Sequence, residues 1–137
     1  MIGVVIATHC KLASALAEAA TVVLGPQDAL ATVDIAPEDD RALGWGKLRD
    51  AVTVADRGDG VLVLVDVLGG TPSNLALALL AEHRVEVLTG VNLPMVLRAL
   101  QRRDSISLDA LARDVLEYGR RNVGSAGAWL RPGGDPP

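Results

Sequence analysis

His9 stands two residues past the apolar run Ile2-Gly3-Val4-Val5-Ile6-Ala7, and a second apolar run ends in Asp66-Val67-Leu68-Gly69-Gly70-Thr71-Pro72-Ser73-Asn74. An imidazole titrates near neutrality and can act as a nucleophile. A carboxylate that accepts one ring N–H fixes the tautomer and leaves the other nitrogen with its lone pair pointing outward. Two glycines followed by a Thr-Pro helix start surround a concavity with unpaired backbone N–H groups at the positive end of a helix dipole, which suits an anion. The glycines also let the backbone approach a phosphoryl group closely. The residues thus fit phosphoryl transfer to a histidine, with His9 and Asp66 as the catalytic pair and Gly69, Gly70 and Thr71 as the phosphoryl-binding cradle.

Each of these residues also has an ordinary structural reading. A lone histidine beyond a strand can be a hydrogen-bonded loop residue, and Gly-Gly followed by Thr-Pro is common strand-to-helix punctuation. Thr71 can cap its helix as well as donate to a phosphoryl oxygen. Cys10 is a small residue with only Lys11 as a basic neighbour, so it reads as inert rather than reactive. His9, Cys10 and Asp66 lack any of the spacings that make zinc binding specific. His83 reads as an exposed residue after a helix, complementing its dipole, and Glu38-Asp39-Asp40 as a helix N-terminus.

The site requires elements that bring the ends of two apolar runs together. Apolar runs at residues 2–7, 30–35, 60–67 and 85–89 alternate with helical patterns, the signature of βαβ units and a parallel sheet. The loops at the carboxyl ends of neighbouring strands then meet in one crevice. Leu12 to Leu24 reads as a helix stopped by Gly25-Pro26, and residues 38–56 as a second, weakened by Gly44 and Gly46. The third helix starts at Thr71 as N-cap with Pro72 in the first helical position. Asn92 caps a fourth, and Ser107 a fifth with the stripe Leu108, Leu111, Ala112, Val115 and Leu116. Ala126 to Leu130 reads as a short edge strand, and Arg131 to Pro137 as a disordered Pro/Gly tail.

A length of 137 residues accommodates one domain, here residues 1–130, built as an α/β fold with a twisted, mostly parallel sheet and helices on both faces. With only two Trp, one Tyr and no Phe, the core must be made of Ala, Val, Leu and Ile. A net charge of −4 argues against a nucleic-acid partner. The densest basic group, Arg102-Arg103 with Arg98 nearby, reads as a solvated helix end. A single cysteine leaves no internal disulfide and no metal-ligand cluster. No apolar stretch approaches the ~20 residues that span a bilayer, and no secretory signal pattern opens the chain. A cytoplasmic location is therefore expected.

Four blocks carry a family resemblance: Met1 to His9; Gly25-Pro26-Gln27; Asp66 to Asn74; and Thr89-Gly90-Val91-Asn92-Leu93-Pro94-Met95. In this order they resemble the mannose-type enzyme IIA domain of the bacterial phosphoenolpyruvate:sugar phosphotransferase system (mannose/fructose/sorbose family). The resemblance implies that His9 accepts a phosphoryl group from the phosphocarrier HPr and passes it to an enzyme IIB, in a relay towards sugar uptake. Asp66 would match the acidic residue that orients the histidine, and Thr71 the hydroxyl residue of the phosphoryl pocket. It implies a homodimer in which the C-terminal edge strand is exchanged, peripheral association with a membrane permease, and neither metal nor organic cofactor.

Two positions depart from the family pattern. Cys10 stands where the family usually has Gly; if the turn needs positive φ there, Cys costs on the order of 1 kcal/mol or more. Leu68 stands where Phe is frequent, which makes one wall of the partner-docking surface smaller. Two further functions share these residues. One is a regulatory protein of the same family, phosphorylated at His9 and signalling nutrient state without transport. The other is a binding module that holds a phosphorylated metabolite at Gly69-Gly70-Thr71 without covalent chemistry.

Overall fold

The computed structural model describes residues 1–81 and 84–137, so the reading of His83 lies outside the described residues. Four strands, β1 (Gly3–His9), β2 (Leu30–Ile35), β3 (Val61–Val65) and β4 (Val85–Thr89), form one parallel sheet in the order β2-β1-β3-β4. Between and after them run helices α1 (Leu12–Leu24), α2 (Arg41–Ala55), α3 (Thr71–Leu79), α4 (Leu93–Arg102), α5 (Leu108–Arg121) and the short α6 (Ala126–Trp129). The expected single-domain α/β architecture is what the chain adopts.

Strand periodicity divides the core in two. Val4 and Ile6 of β1 with Leu62 and Leu64 of β3 face α1, α4 and α5. Val5, Ala7, Val33, Val61, Val63 and Val65 face α2 and α3. Every residue of β3 is completely buried, as a central parallel strand covered on both faces must be. The Ala- and Val-rich palette lets helices approach the sheet without aromatic filler. Most helix starts follow local chemistry: Asp40, Asn92 and Ser107 accept from the amides of Leu43, Met95 and Ala110, respectively. Asp39, beside the first of these caps, accepts from the Ala36 amide and pairs with Lys47.

The strand order places the site. From β1 the chain runs outward to β2, then returns across β1 to β3, so α1 and α3 leave adjacent strands towards opposite faces. The carboxyl ends of β1 and β3 lie side by side at this switch point, where the loops of an open α/β sheet converge. The register pairs Ala7 with Val65. β1 continues two residues further, to His9, beside the turn that begins at Asp66.

Three expectations are corrected. Residues 126–129 form one helical turn, not an edge strand. Ser125 accepts from the Ala128 amide, and Trp129 and Leu130 donate to the carbonyls of Ser125 and Ala126. A lone strand would leave such groups unpaired, whereas a helical turn pairs them locally. The N-cap of α3 is Gly70, not Thr71. Nor is the Arg98-Arg102-Arg103 group a solvated helix end. Arg103 is only 4% exposed, its guanidinium reaching the Ala29 carbonyl and the Gln27 side chain, and burial lowers its pKa. Arg98 forms a bidentate pair with Asp114 (2.8 and 2.9 Å) and lies over the Tyr118 ring, clasping α4 to α5. Residues 131–137 contain no helix or strand and are exposed.

Candidate functional site

His9 is the last residue of β1, and its ring is half exposed at the carboxyl end of the sheet. Its Nδ1 lies 2.8 Å from Asp66 Oδ2, and its backbone N–H donates to the same oxygen at 3.1 Å. The other oxygen, Oδ1, accepts from the Val67 amide at 2.9 Å. One carboxylate thus clamps both the backbone and the ring of the histidine. With Nδ1–H donating to Asp66, Nε2 carries the free lone pair. Burial raises the Asp66 carboxyl pKa, but the bonds from the His9 ring, the His9 amide and the Val67 amide outweigh it, so Asp66 titrates below the ordinary carboxylate range.

The glycine pair contributes two different things. Gly69 has φ +86, the left-handed conformation that turns the chain after β3. Its N–H donates to Ser73 Oγ at 2.9 Å and so is not free for an anion. Gly70 has φ −83 and ψ 170, values open to any residue, and what it provides is space. A β-carbon there would sit 2.6 Å from His9 Cε1 and 3.1 Å from Nε2. The ring therefore rests against the bare Gly70 backbone, with Nε2 beside the start of α3. Among the described residues, the amides of Gly70 and Thr71 have no protein acceptor, and Thr71 is exposed. These donors lie at the positive end of the α3 dipole.

Two buried hydroxyls escaped the sequence reading. Ser73, fully buried, accepts from Gly69 and donates to the Gly70 carbonyl at 3.2 Å. Thr8, also fully buried, accepts from the Ala13 amide at 2.7 Å and donates to the His9 carbonyl at 3.2 Å. Thr8 supplies the cap that Lys11, the formal N-cap of α1, does not. The available signal was a hydroxyl residue beside each loop, but which backbone groups it would meet depends on the turn geometry.

Cys10 has φ +50. The turn after His9 thus does use positive φ, and its side chain is exposed. Its amide donates to the Ile35 carbonyl at 2.9 Å, which holds the strained residue in place. Cys10→Gly should raise the unfolding free energy by up to about 1 kcal/mol, as relief of left-handed strain outweighs the extra entropy of an unfolded glycine. Urea denaturation of the two proteins measures it, and a less stable glycine variant contradicts it. Among the described residues no cluster of three His, Cys, Asp or Glu side chains is arranged to hold a metal ion.

Residues 3–116 match the family model described as the PTS system fructose IIA component. The mannose-specific EIIAB component of Escherichia coli K12 is 35% identical over 124 residues, covering 89% of this chain and 38% of that protein. The chain therefore spans well under half the length of that relative. The fructose-specific EIIA component of Bacillus subtilis is 32% identical over 116 residues, covering 84% of this chain and 80% of that one. In fold, the EIIA crystal structure from Streptococcus agalactiae superposes with a TM-score of 0.86 at 24% identity, over 93% of this chain and 98% of that one. No described helix is long and apolar enough to cross a membrane. On the match over 3–116 and the shared sequence with both curated relatives, the chain belongs to the enzyme IIA family of the phosphotransferase system.

Proposed function

We propose that the protein is a phosphohistidine carrier that takes a phosphoryl group from HPr onto Nε2 of His9 and delivers it to an enzyme IIB. The observation that carries this reading is the 2.8 Å contact between His9 Nδ1 and Asp66. It leaves Nε2 as the nucleophilic nitrogen and holds it against Gly70. In the transfer the Nε2 lone pair forms the new N–P bond as the N–P bond of the donor phosphohistidine breaks and its imidazole departs. Asp66 keeps the Nδ1 proton and offsets the positive charge that develops on the ring. The amides of Gly70 and Thr71 and the Thr71 hydroxyl receive the phosphoryl oxygens, while Gly69 shapes the turn that presents them.

The surface around His9 suits a protein donor. Leu12 at the start of α1, and Val67 and Leu68 in the turn after β3, are exposed apolar residues on the segments that follow His9 and Asp66, with Leu68 71% exposed. Large exposed apolar side chains grouped around a polar centre mark a docking surface. Dimer formation and peripheral association with a permease complete the proposed relay.

Incubation with phosphoenolpyruvate, the first enzyme of the system and HPr should add one acid-labile phosphoryl group, seen by intact mass. Peptide mapping should place it on His9, and ¹⁵N NMR on Nε2. No label, or label on another residue, would refute the carrier reading, and label on Nδ1 would refute the assigned nitrogen.

A further inference from the structure

We infer that Ser73 is a positioning residue for phosphoryl transfer, whose hydroxyl latches the Gly69-Gly70 turn and thereby sets the pose of the His9 ring. This inference rests on the carrier reading above. Ser73 lies within the first turn of α3 and is fully buried, so its hydroxyl is removed from water and committed to protein partners. It accepts from the Gly69 N–H at 2.9 Å and donates to the Gly70 carbonyl at 3.2 Å. The Asn74 amide also donates to that carbonyl, at 3.0 Å. One hydroxyl thus spans the junction between the left-handed Gly69 and the extended Gly70, the two conformations that define the turn.

The consequence reaches His9 through Gly70. The ring touches the Gly70 α-carbon face so closely that no β-carbon fits between them. Any rotation of the Gly69–Gly70 segment therefore either presses on the ring or withdraws its support. The same rotation would turn the Gly70 and Thr71 amides away from the oxygens on Nε2. Without the Ser73 hydroxyl, the Gly69 N–H loses its partner and the turn is free to relax towards water. Ser73 touches neither the ring nor the transferred group, so its effect is on geometry, where small displacements carry large rate penalties.

The test compares wild type with Ser73→Ala in phosphorylation by phospho-HPr across a range of donor concentrations. The expected result is a maximal rate about tenfold lower with KM changed less than about twofold, because docking is untouched while the reacting atoms are misplaced. The His9 Cε1–H NMR signal, from the atom nearest Gly70, should shift or broaden in the variant. A folded Ser73→Ala protein with wild-type maximal rate and an unchanged ring signal would overturn the role of Ser73. Wild type that takes no label at all would instead sink the carrier reading, and this inference with it. Amide exchange in wild type alone gives an arm independent of the variant's folding. Gly69 should be protected at least about tenfold relative to Gly70 and Thr71, and equal exchange at the three amides would overturn the latch.

Discussion

Gly70→Ala is expected to slow phosphorylation of His9 by about a hundredfold while changing stability by no more than about 1 kcal/mol. The two effects separate because Gly70 does not use glycine's conformational freedom. Its φ of −83 and ψ of 170 are ordinary for alanine, so the backbone accepts the substitution without strain. The added methyl instead meets the imidazole, 2.6 Å from Cε1 and 3.1 Å from Nε2, with Val67 Cγ2 at 3.4 Å behind it. The histidine is half exposed, so its ring can swing outward at little cost to folding. Swinging out breaks the bond to Asp66 and carries Nε2 away from the start of α3. Stability by urea denaturation and initial phosphorylation rate, measured on the same preparation, check the separation. An alanine variant phosphorylated at the wild-type rate would show that the ring does not rest on Gly70 in solution.

Asp66→Asn is expected to lower the phosphorylation rate by about two orders of magnitude or more. An asparagine keeps the size of the side chain and one oxygen, which can still accept from a backbone amide. It cannot accept from both the ring and the two backbone amides that the carboxylate serves now. If its NH₂ faces the ring it donates to Nδ1, which forces the proton onto Nε2 and blocks the nucleophile. Equal rates for the two proteins would contradict this role. The same substitution carries a pH signature in stability. The folded Asp66 carboxyl titrates below its ordinary range, so its stabilising bonds are fully present above about pH 4 and are lost as pH falls through the lowered value. The stability gap between wild type and Asp66→Asn should therefore be largest at neutral pH and narrow in acid. A gap that widens in acid would mean that the carboxylate is not held in its charged form by the fold.

The legible and illegible parts of this protein differ in the range of the interactions that decide them. β2 and β4 stand at the residues their apolar patterns announce, and Asn92 and Ser107 cap the helices that follow them. These outcomes depend on neighbours within one or two turns, which the sequence displays directly. Residues 126–130 pointed the other way: without a neighbouring strand, Ser125 turns the same residues into a capped helical turn. Arg103 looked like a surface charge beside Arg102, yet packing against Gln27 and Ala29, far off in the chain, buries it.

The candidate site shows the same division. The amino-acid types at His9, Asp66, Gly69, Gly70 and Thr71 already indicate a nucleophile, an orienting carboxylate and an anion cradle, because those properties belong to side-chain chemistry and to helix starts generally. The four motif blocks by themselves determined the family. Only the tertiary structure decided how the roles are distributed: that Asp66 clamps ring and backbone at once, that the Gly69 amide belongs to Ser73, and that Gly70 is small to make room for a ring. The physical reason is that the contacts of His9 with Asp66 and Gly70 join segments brought together only by the β1–β3 register, which is set when the sheet assembles, while the Gly69–Ser73 bond, four residues apart, depends on the left-handed turn at Gly69.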